Sequence, residues 1–163
     1  MGIALWAALT LSGWDVVVGC LLGWTLLAVA LIDIRRLIVP DALSLPLLLA
    51  GVALAIAHDA ASGALLGAAV GYGAFALLAW GYERLRGVPG LGLGDAKLLA
   101  AAGAWLGCEG LPSVVLVAAL LGLAGAMLAG PIDRHRRIPF APGLALAFWL
   151  VWLYGPLNMG AWI

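Results

Sequence analysis

Charge is scarce in this chain. Of 163 residues, eight are Lys or Arg and eight are Asp or Glu, 10% together, and they sum to zero. With no basic excess, the electrostatic footprint of a nucleic-acid-binding protein is missing. Histidine and cysteine occur twice each. Cys20 and Cys108 form no CxxC pair, which argues against a structural zinc site. They are expected to be inert thiols, with a disulfide left open. There is no HExxH, and no Ser/His or Cys/His pair falls in the apolar stretches. The serine and metal-dependent types of intramembrane protease are thereby disfavoured, and neither a metal nor a cofactor is expected. Residues 1–11 contain no Lys or Arg, so the basic start of a signal peptide is missing and the segment is expected to stay in the mature protein.

What fills the chain instead is apolar: 66% of residues are hydrophobic and the mean hydropathy is +1.16. Soluble domains are nearer 45–50% apolar with about 25% charge. The expected fold is an all-α integral membrane protein, one transmembrane domain over residues 1–163 with lipid around it. Apolar runs at 16–32, 42–57, 63–82, 96–107, 112–130 and 140–154 predict a bundle of six transmembrane helices. Backbone groups in lipid must be satisfied within each segment, so helices are the expected form. The runs show no strict alternation of the kind barrel strands need.

The basic residues orient the bundle. Arg35 and Arg36 follow the first span, Arg84 and Arg86 follow the third, and Lys97 opens the fourth. Arg134, Arg136 and Arg137 lie between the fifth and sixth. The loops around His58-Asp59 and Cys108-Glu109 contain no Lys or Arg. All eight thus fall on one side of a six-span topology, and the positive-inside rule makes that side cytoplasmic. Both termini are then extracytoplasmic. His58 and His135 fall alone on opposite sides. Gly63, Gly67 and Gly71, Gly19 and Gly23, and Gly103 and Gly107 repeat at four-residue spacing, the pattern that lets membrane helices approach closely. Trp14, Trp80, Trp105 and Trp152 lie near span ends and read as an aromatic belt.

Two aspartates stand out against this background. Asp33 ends the first span and Asp95 begins the fourth, so both lie at the cytoplasmic edge although 62 positions separate them. A carboxylate at membrane depth is costly and marks a functional site. The fourth run has twelve residues, about 18 Å of helix against roughly 30 Å of hydrocarbon. Either it continues toward Leu111, or its inner end is recessed with Asp95 in it. Gly90, Gly92 and Gly94 suit a loop folding into such a recess. Two close carboxylates do not both ionise easily and share a proton. One then activates water while the other acts as an acid, the arrangement of aspartic proteases. The bland alternatives are an Asp33 paired with Arg35, Arg36 or Lys97, and an Asp95 that merely caps its helix. Asp41, after Pro40, reads as the N-cap of the second span. Asp133 reads as part of a solvated loop and Glu83 likewise. Asp15, Asp59 and Glu109 face outward.

Three segments carry a resemblance. The run Leu31-Ile-Asp-Ile-Arg-Arg-Leu-Ile-Val-Pro-Asp-Ala-Leu43 resembles the first motif of the type IV prepilin peptidases. Gly92-Leu-Gly-Asp-Ala-Lys-Leu-Leu-Ala-Ala-Ala-Gly-Ala-Trp-Leu-Gly107 resembles their second, and Arg137-Ile-Pro-Phe-Ala-Pro-Gly-Leu-Ala-Leu-Ala145 their last cytoplasmic loop and final helix. The family are GxGD-type aspartic proteases that remove the basic leader of prepilins and pseudopilins at the cytoplasmic face of the prokaryotic inner membrane. The resemblance implies Asp33 and Asp95 as catalytic residues, with Gly92, Gly94 and Lys97 shaping the site. It also implies a prepilin, pseudopilin or Flp-type substrate with a single transmembrane helix. Many bacterial members also carry paired CxxC motifs and methylate the new N-terminus. This sequence has no CxxC, so a peptidase without methyltransferase activity is expected. Presenilin and signal peptide peptidase share a GxGD aspartate but have Pro-Ala-Leu where this chain reads Pro139-Phe140-Ala141-Pro142. A small multispan transporter or pilus-assembly scaffold is the non-hydrolytic alternative.

Overall fold

The computed structural model describes residues 2–10, 13–87, 92–128 and 139–157, and among these residues it is helical with no strand. The helices are α1 (Gly2–Thr10), α2 (Trp14–Arg36), α3 (Asp41–Ala57), α4 (Ala61–Arg86), α5 (Leu93–Leu128) and α6 (Ala141–Tyr154). α2, α4 and α5 are long and apolar enough to cross a membrane, and α3 and α6 are shorter apolar helices.

α5 is two helices joined at a break. Gly107 sits at φ 67° and ψ −175°, far outside helical values, in a region open to glycine because it has no Cβ. The turn is tight: a Cβ on Gly110 would lie 2.5 Å from that of Leu106, where helical neighbours four apart are about 5–6 Å. Contacts between helices show that the arms run in opposite directions. In the first arm, Gly103 lies against Gly67 and Leu99 against Gly71 of α4, while Trp105 meets Trp152 of α6. In the second, Ser113 accepts a hydrogen bond from the Leu157 N–H, and Ala118 and Gly122 lie at Gly143, near the start of α6. With α2, α3, α4 and α6, the arms make six helical passes of alternating direction. The predicted breaks after the first, third and fourth apolar runs fall at the Leu37 turn, at Gly87 and at Gly107.

Among the described residues, the bundle shows apolar side chains along its outer faces and encloses four polar ones, while its charged residues other than Asp33 and Asp95 lie at or near the helix ends. Leu65, Leu66 and Leu77 of α4 and Leu21 and Leu31 of α2 are exposed, whereas Ser44, Ser113, Asp33 and Asp95 are buried. Water would reverse that arrangement; lipid accepts it. The first arm of α5 is the centre. Ala96, Leu98 to Ala102 and Ala104 are all buried, so the helix is enclosed on every side. That explains its length: a helix wrapped by its neighbours has no lipid contact to match and need not reach across the bilayer. α4 approaches it through glycine. A Cβ on Gly103 would collide with the Gly67 carbonyl, and one on Gly67 with the Gly103 carbonyl. Gly107 was expected to pack in the same way, and its backbone does lie against α4, the carbonyl carbon 2.9 Å from a Cβ built on Gly67; it serves as the break as well, its own side-chain position open to space.

Two further features depart from expectation. The first residues form a helix, α1, with Ala7 fully buried and the Trp6 indole N–H donating to the Tyr154 hydroxyl at 2.7 Å. Trp105 does not belong to a surface belt: its N–H donates to the Leu47 carbonyl at 2.8 Å and its ring meets Phe148 and Trp152 edge-on. Trp14 and Trp80 are exposed, as a belt requires. Both thiols are free, Cys20 partly buried and Cys108 exposed.

Candidate active site

α2 stops immediately after the Ile32-Asp33-Ile34 segment. Leu37 takes the left-handed conformation (φ 53°) and its N–H closes on the Asp33 carbonyl at 2.8 Å. Pro40 then holds its own residue extended (φ −73°, ψ 131°) and keeps the residue before it out of the helical region. α3 begins at Asp41, so the Asp33 carboxylate is left at the end of one helix with the next turning away from it.

Asp95 enters from a different direction. It lies in the first turn of α5, its N–H donating to the Gly92 carbonyl at 3.1 Å. One residue earlier, Gly94 presses on the turn that follows Asp33: a Cβ there would sit 2.8 Å from the Val39 Cβ. Val39 is itself buried and has little freedom to retreat. The absence of a side chain at 94 is what lets the start of α5 close against the end of α2. Gly92 carries no such constraint, since its nearest neighbours, Asp95 Oδ2 and Gly94 N, are 3.9 Å from a built Cβ. Gly90 lies outside the described residues.

Both carboxylates are buried, Asp33 to 6% exposure and Asp95 to 9%. The close approach of Gly94 to Val39 brings them to the same end of the bundle from separate helices. Among the described residues neither has an ion-pair partner. Asp33 is not tied to Arg35, Arg36 or Lys97; both arginines are exposed. Lys97 reaches Asp41 Oδ1 at 2.6 Å. Asp41 is therefore not the cap of α3. Pro40 holds that position, and the Asp41 side chain links α3 to α5. Nor does Asp95 cap α5, which begins two residues before it.

The partner that sequence reasoning missed is a backbone group. The Ala141 N–H, at the first residue of α6, donates to Asp33 Oδ2 at 3.2 Å across 108 positions. The first N–H groups of a helix have no partner within it, and the helix dipole places partial positive charge there. Asp33 thus caps α6 from another helix, and Asp95 stands in the first turn of α5. Of the two buried carboxylates, Asp33 is held by a helix N-terminus, and among the described residues no cation pairs with either. A backbone donor has no signature in its own side chain. The one hint was Pro142, at the start of a helix where a proline is tolerated. No cluster of three or more His, Cys, Asp or Glu occurs among the described residues. Asp133, Arg134, His135, Arg136 and Arg137 lie outside them.

A family model described as the type IV leader peptidase family matches residues 20–127. Three curated relatives are each named prepilin leader peptidase/N-methyltransferase. The Aeromonas hydrophila protein is 40% identical over 154 residues, which is 91% of this chain and 53% of the relative. The Xanthomonas campestris protein is 40% identical over 148 residues, 88% of this chain and 52% of the relative. The Burkholderia pseudomallei protein is 45% identical over 125 residues, 74% and 40%. The chain spans about half the length of these relatives. No solved structure matches it.

Proposed function

The chain belongs to the type IV leader peptidase family, and from that premise we propose that it is a membrane aspartic endopeptidase acting on prepilin-like substrates. The observation that carries this reading is the pair of buried carboxylates, Asp33 and Asp95, brought to one end of the bundle from separate helices, neither with an ion-pair partner among the described residues. In the proposed reaction the ionised member takes a proton from a water, and the hydroxide attacks the scissile carbonyl carbon. The protonated member donates to the carbonyl oxygen. Collapse of the tetrahedral intermediate expels the amine, which takes a proton from the pair. The Ala141 N–H holds Asp33 in position throughout, and burial excludes competing water.

Arg35, Arg36, Arg84 and Lys97 gather at the same end of the bundle as the pair, which supports six crossings with this end in the cytoplasm and both termini opposite. The substrate is a single apolar helix with a basic leader, entering laterally because the carboxylates stand at the ends of membrane helices. Its leader is cut off at the inner face. Gly94 and Lys97 shape the site, Gly94 by its contact with Val39 and Lys97 through Asp41.

Asp33→Asn and Asp95→Asn variants, tested by gel shift of a full-length prepilin, are each expected to lose about 10³-fold or more in rate, in the range general acid–base groups contribute. Unimpaired cleavage by either would remove that residue from the pair.

A further inference from the structure

A cleft of about 190 Å³ opens between α2 and α6. Gly23, Leu26 and Ala30 line one wall, and Pro142, Ala145 and Trp149 the other. On α2 these positions form a helical stripe whose next member is Asp33, one turn or about 4.5 Å beyond Ala30. On α6 the cleft ends at Pro142, beside the Ala141 N–H that holds Asp33. The cleft therefore runs along the bundle toward Asp33 and stops about one turn short of it.

Its lining is apolar apart from two indole N–H groups, of Trp6, which donates to Tyr154, and of Trp149. The Trp149 side chain is buried to 4% exposure, and its indole N–H has no hydrogen-bond partner. A buried donor left without an acceptor is destabilising in the free protein, and here it belongs to a residue lining an open space. The cleft is also already shaped for a helix. α1, an uncharged run of apolar residues, lies across its mouth through Ile3 and Trp6. At Gly23 a built Cβ would come within 2.6 Å of Ile3 Cγ2 and 2.8 Å of the Trp149 ring. Glycine permits that close approach of one helix to another.

We propose that this cleft seats the transmembrane helix of the substrate, just beyond the bond to be cut, and that α1 covers it in the substrate-free protein as a displaceable strap. The proposal rests on the peptidase reading. The incoming helix packs on the small residues Gly23, Ala30 and Ala145, which brings its leader end to Asp33 and Asp95. An oxygen of that helix, about two turns in from the cleaved bond, accepts from the Trp149 N–H. The same apolar cleft would also take a lipid acyl chain, which the test separates.

The full chain is placed in membranes with a full-length prepilin, and cleavage by the parent is measured first. A photo-crosslinking amino acid then replaces Leu27 or Leu146, on the two walls, or Leu66 or Leu78, on the outer face of α4, each in the Asp95→Asn background. Prepilin adducts at Leu27 and Leu146 that exceed those on α4 are expected. Lipid adducts alone, or equal adducts at all four positions, overturn the cleft while leaving the peptidase reading intact. Failure of the parent to cut would overturn that reading and the cleft with it. Trp149→Phe is the second measurement. It is expected to raise KM about three- to ten-fold, the worth of one neutral hydrogen bond, with kcat little changed and the thermal midpoint not lowered. A lowered midpoint with unchanged KM would make Trp149 a packing residue and remove it from the proposal.

Discussion

Gly92 and Gly94 look alike in the sequence, two residues apart in one short motif, but the structure assigns them opposite sensitivities. Alanine at 94 puts a methyl carbon 2.8 Å from the Val39 Cβ. Ordinary carbon–carbon contact begins at about 3.5–4.0 Å, so the start of α5 must move away from the turn after α2 by about 1 Å. Overpacking of that kind costs about 1–3 kcal/mol of stability. The larger effect falls on the reaction, because Asp95 is the next residue and moves with it; a misplacement of about 1 Å in a catalytic constellation costs about 10²-fold. Gly94→Ala is therefore expected to cut prepilin about 10²-fold more slowly, read as kcat/KM from gel-shift time courses at low substrate. Gly92→Ala, with nothing nearer than 3.9 Å, is expected to stay within about three-fold of the parent, since ordinary contact carries no clash. Val39→Gly removes the atom struck and should restore part of the rate in the double variant, a coupling that independent sites would not show. Near-parent cleavage by Gly94→Ala, or an equal loss in Gly92→Ala, would refute the close approach as the reason for glycine at 94.

The Lys97–Asp41 pair is partly exposed on both sides, at 32% and 56%, so Asp41→Asn is expected to cost under about 1 kcal/mol in detergent melts and to leave cleavage within a few-fold. Gly103→Val directs a side chain into the Gly67 carbonyl; neither backbone can yield, and a loss above about 3 kcal/mol is expected, seen as loss of folded protein by size-exclusion chromatography. Cys108 is exposed and lies beside the Gly107 turn, at the end opposite Asp33. An impermeant maleimide added outside intact cells should label it, and labelling only after lysis would invert the topology. In the proposed reaction the pair works with one proton between its members, so kcat/KM for prepilin cleavage is expected to fall on both sides of an optimum as pH is varied. A rate flat across the carboxylate range would argue against a shared proton.

Much of the fold was legible because it is local. Runs of apolar residues satisfy their own backbone as helices, and Pro40, Gly87 and the His58-Asp59 turn end them from nearby positions. The buried status of Asp95 was legible too, since a carboxylate at the edge of an apolar run is costly unless protein encloses it. Partnerships were harder. Asp41 read as a cap because caps are local, but its carboxylate went to Lys97, 56 positions away. Trp105 read as an interfacial ring, yet its N–H found the Leu47 carbonyl inside the bundle. Gly103 and Gly107 share a spacing pattern and both lie against Gly67 of α4, but only Gly107 also turns the chain.

By itself the sequence determined that this chain is helical and apolar, where its helices stop, and that basic residues collect at one end. It also singled out Asp33 and Asp95. These follow from hydrogen bonding and solvation within a few residues. Only the tertiary structure decided that Asp33 is held by the Ala141 N–H, that Gly94 lets α5 close on Val39, and that α1 lies over a cleft between α2 and α6. Each depends on which helix packs against which, a relation among residues up to 108 positions apart. A backbone N–H is the same at every non-proline residue, so no sequence pattern announces which one a buried carboxylate will meet.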